Sequence, residues 1–453
     1  MKLNVTVTGK RLALLPVIAV VGALAVSLSG LVSIAANTGH FGVVKWFLGW
    51  TMQNAVRTQS LGISVPEGVE LSDPNLVQRA AGQFATGCAS CHGAPGVLQS
   101  PVVLSMTPAP PRLEQQIPEW RDRELFWIVQ HGIKYSGMPA WTTQDRPDEV
   151  WAMVAFLRAL PEITAEEYRK LALGEAEGEG EGAGGTAHTD VQRGRPAESG
   201  EEPSGLSTAG MSDDVADALT NCARCHGFDG RGVGGGETAE AFPNITGQRQ
   251  AYLFETLKAF ASGRRESGIM TPAAGVYSEE ILADLARYYA QLPPAGEGGE
   301  SGGAEITPPV GVALGEEGAG RMPRHSIEGE AAASRGEPTG YAALVDPAAA
   351  SGPPYAATGL AELGRRIATQ GLPERKLPAC ESCHGATERE KNQNYPYIAG
   401  QPEWFLATQL QLFKEGERLG TPFAHLMEPI AINLTEEQID ALALYYSLQP
   451  PGR

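Results

Sequence analysis

Cys88-Ala89-Ser90-Cys91-His92, Cys222-Ala223-Arg224-Cys225-His226 and Cys380-Glu381-Ser382-Cys383-His384 are three copies of one five-residue pattern. Together they use all six cysteines of the 453-residue chain. Two thiols three residues apart lie on one side of a helical turn and can bond the two vinyl groups of a single porphyrin. The next residue then turns its imidazole towards the iron. This is the attachment motif of c-type haem. A disulfide across the two cysteines would not call for the histidine, and a zinc site needs four ligands where each copy supplies three. The pattern predicts three covalently bound haems, held by Cys88 and Cys91, Cys222 and Cys225, and Cys380 and Cys383.

The copies sit in segments that repeat one another. Gly247-Gln248 matches Gly400-Gln401, and Leu253, Leu257 and Phe260 match Leu406, Leu410 and Phe413. Ser278-Glu279-Glu280 matches Thr435-Glu436-Glu437, Tyr288-Tyr289 matches Tyr445-Tyr446, and both segments end in Pro-Pro. The first segment is more distant but closes in the same manner, through Pro147-Asp148-Glu149 and a helix carrying Trp151 and Phe156. Thr435-x-x-Gln438 reads as a capping box and Ser278 as the equivalent N-cap. Ile281, Leu282, Leu285, Tyr288 and Tyr289 recur at helical spacing. No stretch alternates as a strand would, so the expected fold class is all-α.

Two tracts rich in Gly, Glu and Pro separate the segments and cannot bury a core. The resulting division is an N-terminal signal or transmembrane anchor (1–36), a juxtamembrane segment (37–71), units at 72–170, 208–294 and 356–453, and linkers at 171–207 and 295–355. The net charge of −18 is largely local. Residues 173–207 hold eight acids and two bases, and 295–355 hold nine acids and three bases. No basic face suggests nucleic-acid binding.

Each segment resembles a class I cytochrome c domain, and the second and third together resemble the tandem diheme cytochromes c of bacterial respiration. The resemblance covers about 270 residues by the size of three such domains. It implies a small helical bundle around each haem, with iron held between a histidine and a methionine, the pair that raises the reduction potential. His92, His226 and His384 are then the proximal ligands. Met138, Met270 and Met427 follow them by 46, 44 and 43 residues, each with a proline one or two positions later. Met106 lies only 14 residues beyond His92, and Met153 belongs to the closing helix. His131 falls in a helix expected over 124–132. His425, two residues before Met427, remains a rival to it. Pro243 and Pro396 are either loop prolines or acceptors for the proximal imidazoles. Trp141, Tyr252 and Trp404 either line haem edges or pack in cores.

At the N-terminus Lys2, Lys10 and Arg11 precede an apolar run over 12–36, long enough to span a bilayer. The positive-inside rule places the rest of the chain outside the cytoplasm. Phe41, Trp46, Phe47 and Trp50 suit either a membrane-interface belt or packing on the first unit. The expected protein is a membrane-anchored periplasmic electron carrier of the bacterial inner membrane, not an enzyme in its own right. Its expected partners are respiratory redox proteins: a quinol–cytochrome c oxidoreductase or dehydrogenase as donor, a terminal oxidase as acceptor. A cytochrome subunit of a membrane-bound dehydrogenase, and a multi-haem peroxidase, are the competing readings.

Overall fold

The computed structural model describes residues 9–30, 35, 39–173, 211–294, 353–384 and 391–451. Both linker tracts, with His188 and His325, lie almost wholly outside the described residues. Everything described is helix, turn or loop, with two isolated bridges and no strand. The all-α expectation therefore holds for these residues.

The first helix, α1 (Gly9–Leu28), ends eight residues short of the predicted apolar run. Without Gly9, Lys10 and Arg11 it keeps about 17 apolar residues, the lower limit for a span, and Pro16 interrupts them. Among the described residues no helix is long and apolar enough to cross a membrane. The predicted transmembrane helix thus lacks structural support. Helix α2 (Gly42–Gln59) comes next. Its C-terminal half rests on the first unit through the buried Val56, while Phe41, Trp46, Phe47 and Trp50 are all more than half exposed. Those aromatics do not pack into the first unit, although Trp46 and Trp50 stack on one another.

The first unit is built from α3 (Pro74–Gln83), α4 (Asp122–His131), α5 (Pro147–Ala159) and α6 (Ala165–Leu173). Asp73 caps α3 by accepting from the Asn75 N–H, and Pro74 occupies the first turn, where its missing donor costs nothing. Its core joins Phe84 and Phe156, with ring centroids 4.9 Å apart, to Tyr168 edge-on and to the Phe126–Trp151 pair. Helix α5 is buried nearly all round.

The second unit comprises α7 (Asp213–His226), α8 (Gln250–Ala261) and α9 (Glu279–Gln291). The third comprises α10 (Pro353–Gln370), α11 (Glu403–Glu415) and α12 (Glu436–Ser447). The expected caps form: the Ser278 hydroxyl accepts from the Ile281 N–H, and Thr435 and Gln438 satisfy each other's backbone donors. Helices α10 and α12 cross where Gly364 meets Ala441. A methyl group at Gly364 would collide with the Ala441 carbonyl, so the crossing requires glycine.

Phe156 is fully buried among aromatics that cannot collapse into the space it fills. Phe156→Ala is expected to cost about 3–5 kcal/mol of first-unit stability. Guanidinium unfolding followed by the fluorescence of the nearby tryptophans measures this, and a loss below about 1 kcal/mol would show the core to be loosely packed.

Candidate haem sites

The attachment turns are the C-terminal ends of helices. Helix α7 runs through Cys222 and Cys225 to His226 and stops at Gly227, whose φ of 71° is left-handed. Gly93 does the same after His92, at the same φ. The stop frees each imidazole to turn back over its own helical end. In the first unit the turn from Phe84 to Cys88 is π-helical, and Ala89–His92 completes it.

None of the six cysteines forms a disulfide. Burial raises Cys88, Cys222 and Cys380 to about 12 and Cys225 to about 11. Thiols so strongly held neutral are poor thiolate ligands. Among the described residues no group of three or more His, Cys, Asp or Glu side chains is arranged to hold a metal ion. A zinc reading therefore finds no site, whereas a neutral thioether suits these surroundings.

The imidazoles are oriented by proline carbonyls. His384 Nδ1 lies 3.0 Å from the Pro396 carbonyl and His92 Nδ1 lies 2.9 Å from that of Pro111. Pro111 was not singled out from the sequence, though it stands in a Pro-Pro pair after the motif. His226 approaches Pro243 without reaching hydrogen-bond geometry, and its Nδ1 is buried without a partner. Burial pulls His226 down to about 4, offset in part by the Pro243 carbonyl.

The second and third units share one cavity of about 710 Å³, within the range of cavities that enclose cofactor-sized ligands. Cys222, Cys225, His226 and Met270 line it from one unit, and Cys380, Cys383, His384 and Met427 from the other. Met427 lines the cavity; His425 is exposed and does not. Tyr252 and Trp404 are also in the wall. Trp141 instead packs on Gly268, at the contact between the first and second units.

Two glutamines join the paired units. Gln248 Nε2 donates to the Tyr397 carbonyl (2.6 Å), and the Tyr397 N–H donates to Gln248 Oε1 (3.0 Å). Gln401 repeats this on Asn244, again at 2.6 and 3.0 Å. Gln248 and Gln401 are the repeated Gly-Gln glutamines, so the contact is a two-fold exchange. Arg265 Nη2 donates to Gln409 Oε1 (2.8 Å) and Arg418 Nη2 to the Tyr252 hydroxyl (3.1 Å), both across the same interface. Burial pushes the Tyr252 hydroxyl up, but the Arg418 and Arg265 guanidiniums outweigh it and hold the group below its ordinary value.

The first unit docks beside Met270. Glu149 Oε1 accepts from the Ser267 hydroxyl and Oε2 from the Gly268 N–H, both at 2.6 Å. The Ser267 oxygen in turn accepts from the Met270 N–H (2.9 Å). Helix α3 approaches with its backbone at Gly82, where a Cβ would lie 3.0 Å from Cys225 Sγ. Nothing in the sequence separated Glu149 from the acids that open α9 and α12, which are exposed. Met138 is half-buried in a loop closed by the hydrogen bond from the Ile133 N–H to its carbonyl, and the Met106 methyl abuts Gly137 beside it. Met106, distant by sequence, is thus brought next to Met138. His131 is exposed at the end of α4, against Trp127.

Parts of the chain match known proteins. Residues 75–157 match the family model described as cytochrome c oxidase, cbb3-type, subunit III, and residues 213–288 match that of cytochrome c. Cytochrome c-554(548) of Halomonas halodenitrificans is 42% identical over 76 residues, which are 16% of this chain and 86% of the relative. The thiosulfate dehydrogenase electron acceptor of Thiomonas intermedia is 27% identical over 230 residues, 51% of this chain and 79% of the relative. Among solved structures, thiosulfate dehydrogenase from Marichromatium purpuratum is 28% identical with a TM-score of 0.33, over 51% of this chain and 36% of that one. The present chain thus spans about a third of that structure's length. The chain belongs to the class I c-type cytochromes. It is a multi-haem, electron-transferring member whose family matches imply covalently bound haem c.

Proposed function

We propose that the chain carries three haems and passes single electrons in the bacterial periplasm, from a dehydrogenase to a terminal oxidase. The observation that carries this reading is the shared cavity, with two Cys-Cys-His sets and two methionines in its wall. In this reading the cysteine pairs would bind the porphyrins, and His92, His226 and His384 with Met138, Met270 and Met427 would ligate the irons. Bound haem supplies one-electron chemistry, at a potential set by its axial ligands and surroundings. The protein orients the imidazoles through Pro111 and Pro396, fixes the backbone of Met270 through Ser267, and keeps water out with walls such as Phe260, Leu282 and Leu442. A histidine and a methionine on each iron would leave no position for substrate, which disfavours the peroxidase reading. Three haems per chain should stain after denaturation, all low-spin with the near-infrared sulfur-to-iron band. Met270→Ala should remove about a third of that band, one haem of three, and convert that haem to high-spin; His425→Ala should leave it intact. An unchanged band in Met270→Ala would sink the assignment.

Thiosulfate oxidation is the donor chemistry we favour, because relatives over half the chain are named as electron acceptors of thiosulfate dehydrogenase. The match of the first unit to an oxidase subunit supports a terminal oxidase as acceptor. The packing of all three units against one another also favours a second reading, a cytochrome subunit of a dehydrogenase complex. In rapid mixing, a thiosulfate dehydrogenase supplied with thiosulfate should reduce the oxidised protein within milliseconds to seconds. No reduction with thiosulfate, but fast reduction by a quinol-oxidising complex, would place the protein elsewhere in the chain.

Membrane attachment through α1 and α2 is part of the same proposal. Leu14, Val17, Ile18, Val20, Val21 and Leu24 are all more than half exposed, as are the aromatics of α2, and residues 37–66 hold no acid. The full chain should stay in the membrane fraction through an alkaline carbonate wash, and a chain beginning at residue 39 should be released by high salt. Recovery of the full chain in the soluble fraction would refute the anchor.

A further inference from the structure

Arg79, on α3 of the first unit, reaches into the cavity shared by the second and third units. It is 6% exposed, and none of its three guanidinium nitrogens has a hydrogen-bond partner. The Trp404 ring of the third unit lies against it, 3.6 Å from Cζ to centroid. A cation–π contact offsets part of the lost hydration, but a buried guanidinium with five empty donors needs an anion. The acids nearest in charge are Asp73 and Asp148. Asp73 accepts from the Asn75 N–H at the head of α3, and Asp148 is held by two nitrogens of Arg146. Burial accordingly pulls Arg79 down to about 9.

Two more guanidiniums line the same cavity, each hydrogen-bonded but only to neutral groups. Arg265 and Arg418 bond to Gln409 and to the Tyr252 hydroxyl, and among the described residues neither pairs with a carboxylate. Three guanidiniums with no carboxylate bonded to them therefore face one space, while the acids in its wall, Asp148 and Glu149, are bonded to Arg146. Each porphyrin that the cysteine pairs bind carries two propionate carboxylates, so two porphyrins bring four anions. Guanidinium and carboxylate match as a two-point hydrogen-bonded pair.

We propose that Arg79 binds a porphyrin carboxylate in the cavity of the second and third units, making the first unit part of a haem site that it does not itself ligate. This rests on the reading of the cavity as a haem cavity. Arg79 is a positioning residue in this role. Its cation beside the porphyrin disfavours the oxidised haem, which carries one more positive charge. Docking of the first unit would thus set the potential of a neighbouring haem.

The test uses Arg79→Leu and Arg79→Lys in the full chain, with resonance Raman of the propionate bending modes and a midpoint potential for each haem. Arg79→Leu should shift a propionate mode and lower the potential of one haem of the pair by roughly the 59 mV of a tenfold change in a one-electron equilibrium. The first unit's haem should not move. Arg79→Lys keeps the charge and should retain most of the potential while still shifting the mode, because the two-point pairing is lost. It also serves as the readout if the leucine variant does not fold. Unchanged propionate modes in either variant, with or without a potential shift, overturn the proposal and leave Arg79 held by the Trp404 ring alone. A shift confined to the first unit's haem overturns it as well. Fewer than two haems in the parent's second and third units would refute the functional reading, and a haem count detects that separately.

Discussion

The second and third units are held together by two side-chain amides used in the manner of backbone. Gln248 and Gln401 each satisfy both a carbonyl and an N–H of the opposite unit, at Tyr397 and Asn244. A buried amide left half-bonded would cost about 1–3 kcal/mol. Here each is bonded at both ends, so separating the units exposes four bonds together. Because the glutamines are equivalent in the repeat, one contact generates the other by two-fold symmetry. The exchange closes two haem-binding faces over a single cavity, and most of the remaining structure depends on that closure.

Closure makes charge expensive. Inside such a space Arg79, Arg265 and Arg418 interact through a low dielectric, where an unpaired cation is penalised and a paired one binds strongly. The same condition acts on His226, pulled down by burial, and on Cys222, Cys225 and Cys380, pushed up by it. Neutral imidazoles and neutral sulfurs are the forms that an axial ligand and a thioether require. Where acids do enter, as with Glu149, they come with donors already in place: Ser267, Gly268 and Arg146.

The first unit is docked, not merely tethered. Glu149 holds the Ser267–Gly268 turn, Ser267 holds the Met270 backbone, and Gly82 lets α3 come close to Cys225. A shift of the first unit would therefore reach both the Met270 segment and the Cys222–Cys225 turn of the second. Long linkers by themselves would allow the units to part, but the contacts among them are specific and buried.

The local chemistry was legible from the sequence alone. Cys-x-x-Cys-His is a helical-turn pattern whose geometry depends on near neighbours, and the capping residues Ser278 and Thr435 act within three positions. The helical repeat was legible for the same reason, because hydrophobic spacing records which face of a helix is buried. What the sequence could not supply was which faces meet. The Gly-Gln repeat marked kinship without revealing that each glutamine reaches into the other unit. Glu149 resembled any acid at a helix start, and Arg79 any helical arginine. Their roles arise from partners more than a hundred residues away, and only the tertiary structure brings those into contact. The apolar run at the N-terminus shows the opposite limit: its length suggested a span, and the helix that forms stops at Leu28.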